Sequence, residues 1–294
     1  MPDKLETIGR SQIQHGPEND RVYLMHLAPE DMPEILVKLN DLAGKNQYGK
    51  IFAKVPGEFS DTFVADGYTV EARVPDFFHG ETEAVFLGKY FKPEREQEPK
   101  PELVDEVLAV AQSKSGGETV EELPYKFRLA TPQDAESIAA VYRKVFATYP
   151  FPIHDPAYIA DTMASNFLYF TLWEGEELVA VASCEMYPEE KNVEMTDFAT
   201  LPKYRGKGTA VYLLERMEQV MAQHELKMAY TIARAYSFGM NITFAKLGYV
   251  FGGTLTRNTN IAGSLESMNV WYKPLPELVS GVDGEMTPNT NFEF

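Results

Sequence analysis

Cysteine occurs once in the 294 residues, at Cys184. A single thiol excludes an internal disulfide, and its place in the apolar run VAVASC reads as a packed strand residue rather than a nucleophile. The five histidines, His15, His26, His79, His154 and His224, are scattered without ligand spacing, so no metal is expected. No stretch approaches the roughly 18 apolar residues of a membrane span, and the N-terminus lacks the apolar run of a signal peptide. The expected location is the cytoplasm. Basic residues are scarce: 27 Lys and Arg against 44 Asp and Glu leave a net charge of −17. That balance opposes nucleic-acid and anionic-membrane binding and suits a small cationic substrate.

What is present is enough apolar sequence, 44% of the chain, to bury a core, over a length that fits two ordinary domains. The expected divisions are an α/β domain at 1–92, a Glu-, Lys- and Pro-rich linker at 93–124, a second domain at 125–276 and a tail at 277–294. Within the linker, PELVDEVLAVAQ places Leu103, Val107, Leu108 and Ala111 at helical spacing behind a proline, predicting a helix. Beyond it, Thr131 and Pro132 open a helix, a second follows near 155–165, and NFLYFTLWE, ELVAVASCEM and NVEMTDFATL read as an antiparallel meander. A glycine loop, a long amphipathic helix, and a strand, helix, strand, strand series complete the order β-α-α-β-β-β-α-β-α-β-β. The fold class is α/β (α+β), a mixed, mostly antiparallel sheet flanked by helices.

The first domain echoes part of that order. KIFAKVPGEFSDTFVADGYTVEARV parallels KMAYTIARAYSFGMNITFAKLGYVFGGTL: strand, helix, Gly-Tyr, strand. We read it as a degenerate half-copy of the second domain, the alternative being coincidental α/β alternation. It has no glycine-rich loop between its first strand and helix, so no cofactor is expected there.

The chemistry centres on LPKYRGKGTA, residues 201–210. Gly206 and Gly208 let the backbone approach an oxyanion while free N–H groups and the helix dipole point at it. Lys203, Arg205 and Lys207 add positive charge to an otherwise acidic chain, which suggests a polyanionic ligand. The spacing is neither that of a Walker loop nor that of a dinucleotide fingerprint.

FATLPKYRGKGTAVYLLERM resembles motif A of the GNAT N-acetyltransferases, and AYSFGMNITFAKLGY resembles their following helix with its closing Gly-aromatic pair. The resemblance implies a GNAT fold over residues 125–273, preceded by a half-GNAT-like domain, with acetyl-CoA as co-substrate and no metal. It implies strand contacts to the cofactor from Phe198 and Thr200, a pyrophosphate cradle of Arg205, Gly206, Lys207, Gly208, Thr209 and Ala210, and contact of Ser237 or Asn241 with the cofactor arm. Glu194 falls where the histone-acetylating members carry a general base. Asp197, three residues on, is expected on the opposite strand face, so only one of these two catalytic candidates faces the substrate. Phe244 stands where many members have a tyrosine acid, leaving Tyr236, Ser237 or water as proton donor.

The whole chain also resembles the β-lysine N-acetyltransferases, which pair with lysine 2,3-aminomutase to make ε-N-acetyl-β-lysine, a compatible solute. The implied acceptor is the ε-amine of β-lysine. Arg257, Asn258 and Asn260 suit its carboxylate; Glu185, Glu194 and Asp197 suit its amines. Two alternatives stay open: acetylation of another small polyamine, amino acid or protein amine, and a regulatory module that binds acetyl-CoA without turnover. A homodimer is compatible with either.

Overall fold

The computed structural model describes residues 3–116 and 122–276; the expected tail at 277–294 lies outside the described residues. The first half contains β1 (Lys4–Ile8), β2 (Ser11–Gly16), β3 (Arg21–His26), α1 (Glu34–Asn46), β4 (Lys50–Pro56), α2 (Ser60–Ala65), β5 (Thr69–Phe78) and β6 (Thr82–Tyr90). Helices α3 (Pro93–Glu96) and α4 (Pro101–Gln112) follow. The second half contains β7 (Lys126–Leu129), α5 (Ala135–Val145), α6 (Pro156–Met163), β8 (Phe167–Glu174), β9 (Glu177–Tyr187), β10 (Asn192–Thr200) and α7 (Thr209–Gln223). It ends with β11 (Met228–Arg234), α8 (Phe238–Lys246), β12 (Val250–Ile261) and β13 (Ser264–Pro274).

The 13 strands of the described residues join one sheet in the order β1-β2-β3-β4-β6-β5-β12-β13-β11-β10-β9-β8-β7. The order is palindromic about the β5–β12 seam but for the edge strand β7, which has no counterpart. Strands β3 and β4 are parallel, as are β10 and β11, and each parallel pair is followed inward by two antiparallel strands. The equivalent strands β5 and β12 meet antiparallel at the centre, as a two-fold relation between the halves requires. Strand β1 is exposed along nearly its whole length, so neither of its faces carries the apolar alternation by which a strand is recognised from sequence.

The central seam is a close backbone approach. A Cβ at Gly253 would stand 2.2 Å from the carbonyl oxygen of Glu71, and one at Gly252 would stand 2.8 Å from that of Arg73. Only glycine admits the two strands at this distance. One apolar cluster packs around α5, α7 and β8–β10, a second around α1 and β4. A third is shared, bringing Phe52, Phe77 and Phe86 of the first half against Tyr230, Met268 and Val270 of the second.

The segment expected as a linker is a strap across both halves. Arg95, buried, donates to the carboxylate of Asp20 at 3.0 Å and to the carbonyl of Arg257 at 2.9 Å. Helix α4 packs on α8, with Val107 and Ala111 buried. Among the described residues no helix is long and apolar enough to cross a membrane.

An ion pair is buried at the seam. Lys50 on β4 donates to both oxygens of Glu71 on β5, at 3.0 and 2.8 Å, and to the carbonyl of Thr256 on β12 at 2.9 Å. Glu71 in turn accepts the Thr256 N–H and the Tyr90 hydroxyl. Burial pulls the Lys50 pKa down to about 8 despite the opposing Glu71 charge. Removing one member of such a pair strands the other, so Lys50→Met should destabilise the protein by about 3–5 kcal/mol in urea unfolding. A loss below about 1 kcal/mol would show that the seam does not depend on this pair.

Candidate active site

Parallel neighbours β10 and β11 pair only where Asn192, Val193 and Glu194 face Met228, Ala229 and Tyr230. Past that point they run on to Thr200 and Arg234 with no further pairing between them among the described residues. The sheet therefore forks, with Glu194 and Tyr230 at the crotch. Thr196, Asp197 and Phe198 on one arm and Thr231 to Arg234 on the other line a cavity of about 130 Å³. The far wall comes from the first half, through Arg21, Tyr23, Met25 and Phe52.

At the end of the β10 arm the chain enters the glycine loop. Gly206 and Gly208 adopt φ of 77° and 79°, and a Cβ on either would meet no atom within 4 Å. Gly208 is the N-cap of α7, whose first turn has no side-chain cap, so its leading N–H groups are available to an acceptor. The Thr200 and Thr209 hydroxyls, 3.0 Å apart, tie the strand end to the helix start. Arg205 reaches back to the carbonyl of Thr200 at 3.2 Å, and Lys207 lies over the ring of Tyr204 at 5.1 Å. Lys203 pairs with Glu177 at 2.7 Å, which draws it away from the loop. The open left-handed glycines, the uncapped helix start ending at Ala210 and the two remaining cations fit a pyrophosphate.

The other cofactor candidates divide. Ser237 caps α8, its hydroxyl accepting the Met240 N–H at 3.3 Å. Asn241 differs from expectation: it is fully buried, donates to the carbonyls of Arg234 and Ser237, and accepts from Asn269 and Trp271. Its side chain braces β11, α8 and β13, and no polar group is left for a ligand. Phe244 is fully buried, edge-on to Phe198 and Tyr249 at 5.6 and 5.0 Å. Tyr236 donates to Glu98 of the strap at 2.6 Å and is not among the cavity-lining residues.

Acidic groups converge on the fork. Glu194 and Glu185 are direct cross-strand partners on β10 and β9, both half-buried and both lining the cavity. Burial pushes the Glu194 pKa up to about 7; the Glu185 charge adds to the rise, while Lys54 and the Tyr230 hydroxyl oppose it. Burial also raises the pKa of Glu185. Asp197 corrects the expectation of opposite faces. A bulge between Thr196 and Ala199 puts Asp197 at φ 55° and turns it to the same cavity as Glu194. Its carboxylate accepts the hydroxyls of Tyr149 and Ser183, and burial still holds its pKa above the usual range.

A second bulge, between Leu255 and Thr259, rearranges the expected carboxylate partners. Arg257 adopts φ 42° and donates to the carbonyl of Glu94 on the strap, away from the cavity. Asn260 donates to the carbonyl of Glu18 at 2.9 Å and likewise lies outside the lining. Only Asn258 of the three reaches the cavity.

Two cations from the first half went unpredicted. Arg21 lines the cavity directly. Lys54, buried, donates to the Tyr230 hydroxyl at 3.2 Å and lies 5.1 Å from the Tyr187 ring centre. The available signal was a lysine inside the otherwise apolar strand KIFAKV. Among the described residues no group of three or more His, Cys, Asp or Glu is placed to hold a metal ion.

Comparison with known proteins agrees with this geometry. The model of the acetyltransferase (GNAT) family matches residues 136–249. The beta-lysine N(6)-acetyltransferase of Methanococcus maripaludis is 39% identical over 272 residues, covering 92% of this chain and 98% of that one. That of Methanosarcina mazei is 32% identical over 264 residues, 82% of this chain and 97% of that one. N-acetyltransferase YodP of Bacillus subtilis is 42% identical over 151 residues, 51% of this chain and 55% of that one. The chain belongs to the GNAT family of acetyltransferases, enzymes that use acetyl-CoA as co-substrate.

The loop makes a graded prediction. Gly208→Ala finds free space, so its cost is the left-handed backbone alone, about 1–2 kcal/mol of stability. Gly208→Glu adds a negative charge at the helix start and should raise KM for acetyl-CoA by roughly tenfold or more, leaving KM for the amine near wild type. Equal KM for acetyl-CoA in the two variants would remove the loop from the pyrophosphate site.

Proposed function

We propose that this enzyme moves the acetyl group of acetyl-CoA to the ε-amine of β-lysine, giving ε-N-acetyl-β-lysine by direct attack. The observation that carries the reading is the carboxylate pair Glu185 and Glu194 at the fork, both lining the cavity. Support for β-lysine comes from the names of two relatives aligned over nearly their full length.

Acetyl-CoA supplies the activated acyl group, its pyrophosphate on residues 205–210 and its arm along Phe198 and Thr200. The chain's own task is the proton. A primary ammonium with an unperturbed pKa near 10.4 is almost wholly protonated at pH 7 and cannot attack. A carboxylate with a pKa of about 7 is a far better acceptor for that proton than an ordinary glutamate, yet remains half ionised at neutral pH. Glu194 acts as the base, directly or through water. Glu185 and Asp197 hold the cation beside it, and aromatic walls including Phe146, Phe151 and Phe167 limit access of bulk water. With Phe244 in the core, the returning proton reaches the leaving thiolate from water. The product, an amino acid with one positive charge removed, suits a compatible solute accumulated in the cytoplasm.

Thiol release from acetyl-CoA with β-lysine, L-lysine, spermidine and lysine peptides tests the acceptor; fastest turnover with an amine other than β-lysine would replace it. Because the base works ionised, kcat/KM should rise as pH passes upward through about 7. Glu194→Gln should lower kcat by about 10²–10⁴-fold and abolish that limb while sparing KM for acetyl-CoA. The stability effect has the opposite sign. The folded state holds this proton more tightly than the unfolded chain, so wild-type stability falls as pH rises from about 4.5 through about 7, and Glu194→Gln should flatten that fall in thermal midpoint.

A further inference from the structure

One wall of the cavity is not required by acetyl transfer. Arg21, at the start of β3, is 4% exposed, with its guanidinium 5.2 and 5.7 Å from the ring centres of Tyr23 and Phe52. Its hydrogen bonds go to neutral acceptors: the carbonyl of Asn258 at 2.5 Å, Thr259 Oγ1 at 3.2 Å and Gln14 Oε1 at 3.5 Å. Its Nε has no partner, and among the described residues no carboxylate pairs with it. The other guanidinium on the cavity is different. Arg234 is held by both oxygens of Glu266, at 2.9 and 2.8 Å.

A buried cation with no hydrogen-bonded carboxylate is costly, and burial draws the Arg21 pKa down to about 10 against the more distant charge of Asp3, still charged at neutral pH. Asn258, 1% exposed, lines the same cavity, and its side-chain oxygen is buried without a partner. The cavity is thus bipolar: carboxylates at the fork, and a cation with no paired carboxylate beside an unfilled acceptor on the far wall.

We propose that Arg21 anchors the carboxylate of the acceptor and that the Asn258 side-chain oxygen receives an N–H from the ammonium nearest that carboxylate. The first half of the chain then selects amino acids over simple polyamines. This rests on the amine-acceptor reading above, and it adds a residue from outside the catalytic half.

The test compares β-lysine with 1,4-diaminopentane, which is β-lysine without its carboxylate, in the wild type, Arg21→Gln and Arg21→Lys. Arg21→Gln should raise KM for β-lysine by roughly 30-fold or more and erase its advantage over 1,4-diaminopentane, with KM for acetyl-CoA unchanged. Arg21→Lys should restore part of that advantage. An unchanged KM for β-lysine, or an equal rise for both amines, overturns the proposal. If the wild type prefers L-lysine or L-ornithine, the β-lysine reading falls, and the same comparison with cadaverine or putrescine still decides the role of Arg21. Should Arg21→Gln not fold, the wild-type comparison decides alone: equal use of the acid and its decarboxylated amine overturns the anchor.

Discussion

A ladder that stops is the constraint on which this active site rests. If β10 and β11 stayed paired beyond Glu194 and Tyr230, their hydrogen bonds would close the sheet. The cavity would lose two of its walls. Ending the ladder exposes backbone groups on two strand arms, and such groups need partners. A ligand arm lying in the fork is one solution, and the open glycine loop with its uncapped helix start at the tip of one arm suits an anionic end. Glu194 sits where the arms diverge, so the carboxylate proposed as the base lies at the point where the sheet opens.

Legibility followed sequence distance. The loop and α7 were readable because their geometry is local: glycines at positive φ, a helix start and nearby cations within ten residues. Glu194 was singled out by the family resemblance and Glu185 as an acid suited to an amine, and the β9–β10 ladder makes the two direct neighbours. The misplacements fall at bulges, where Asp197 and Arg257 take left-handed backbone and the period of two breaks. Asn241 misled for another reason: a polar residue at a cofactor-like position satisfied itself inside the core. Arg21 gave no local signal, and the lysine inside KIFAKV marked Lys54 as unusual without placing it, because the β5–β12 seam brings both to the fork from more than a hundred residues away. Strands β1 and β2 were both missed: β1 buries almost nothing, and β2 buries polar residues, Ser11, Gln14 and His15, that do not read as a strand.

Buried charge serves two purposes in this molecule. Lys50 with Glu71, and Arg234 with Glu266, are neutralised internally and hold elements together. Arg21, Glu185 and Glu194 are not neutralised in this way, and all three border the cavity. Desolvation raises the energy of each, and a ligand carrying both charges would relieve the cost at both ends at once.

The palindromic sheet has a consequence for the shape of specificity. When two identical chains meet about a two-fold axis, every residue on one side is matched by itself on the other. Here the two sides belong to one chain and are free to differ. The third pair of the β3–β4 ladder is Tyr23 with Phe52; the third pair of the β10–β11 ladder is Glu194 with Tyr230. All but Tyr230 border the same cavity. Where a symmetric assembly would confront acid with acid, this fold confronts an acid with an aromatic ring, and so could tell the two ends of a substrate apart.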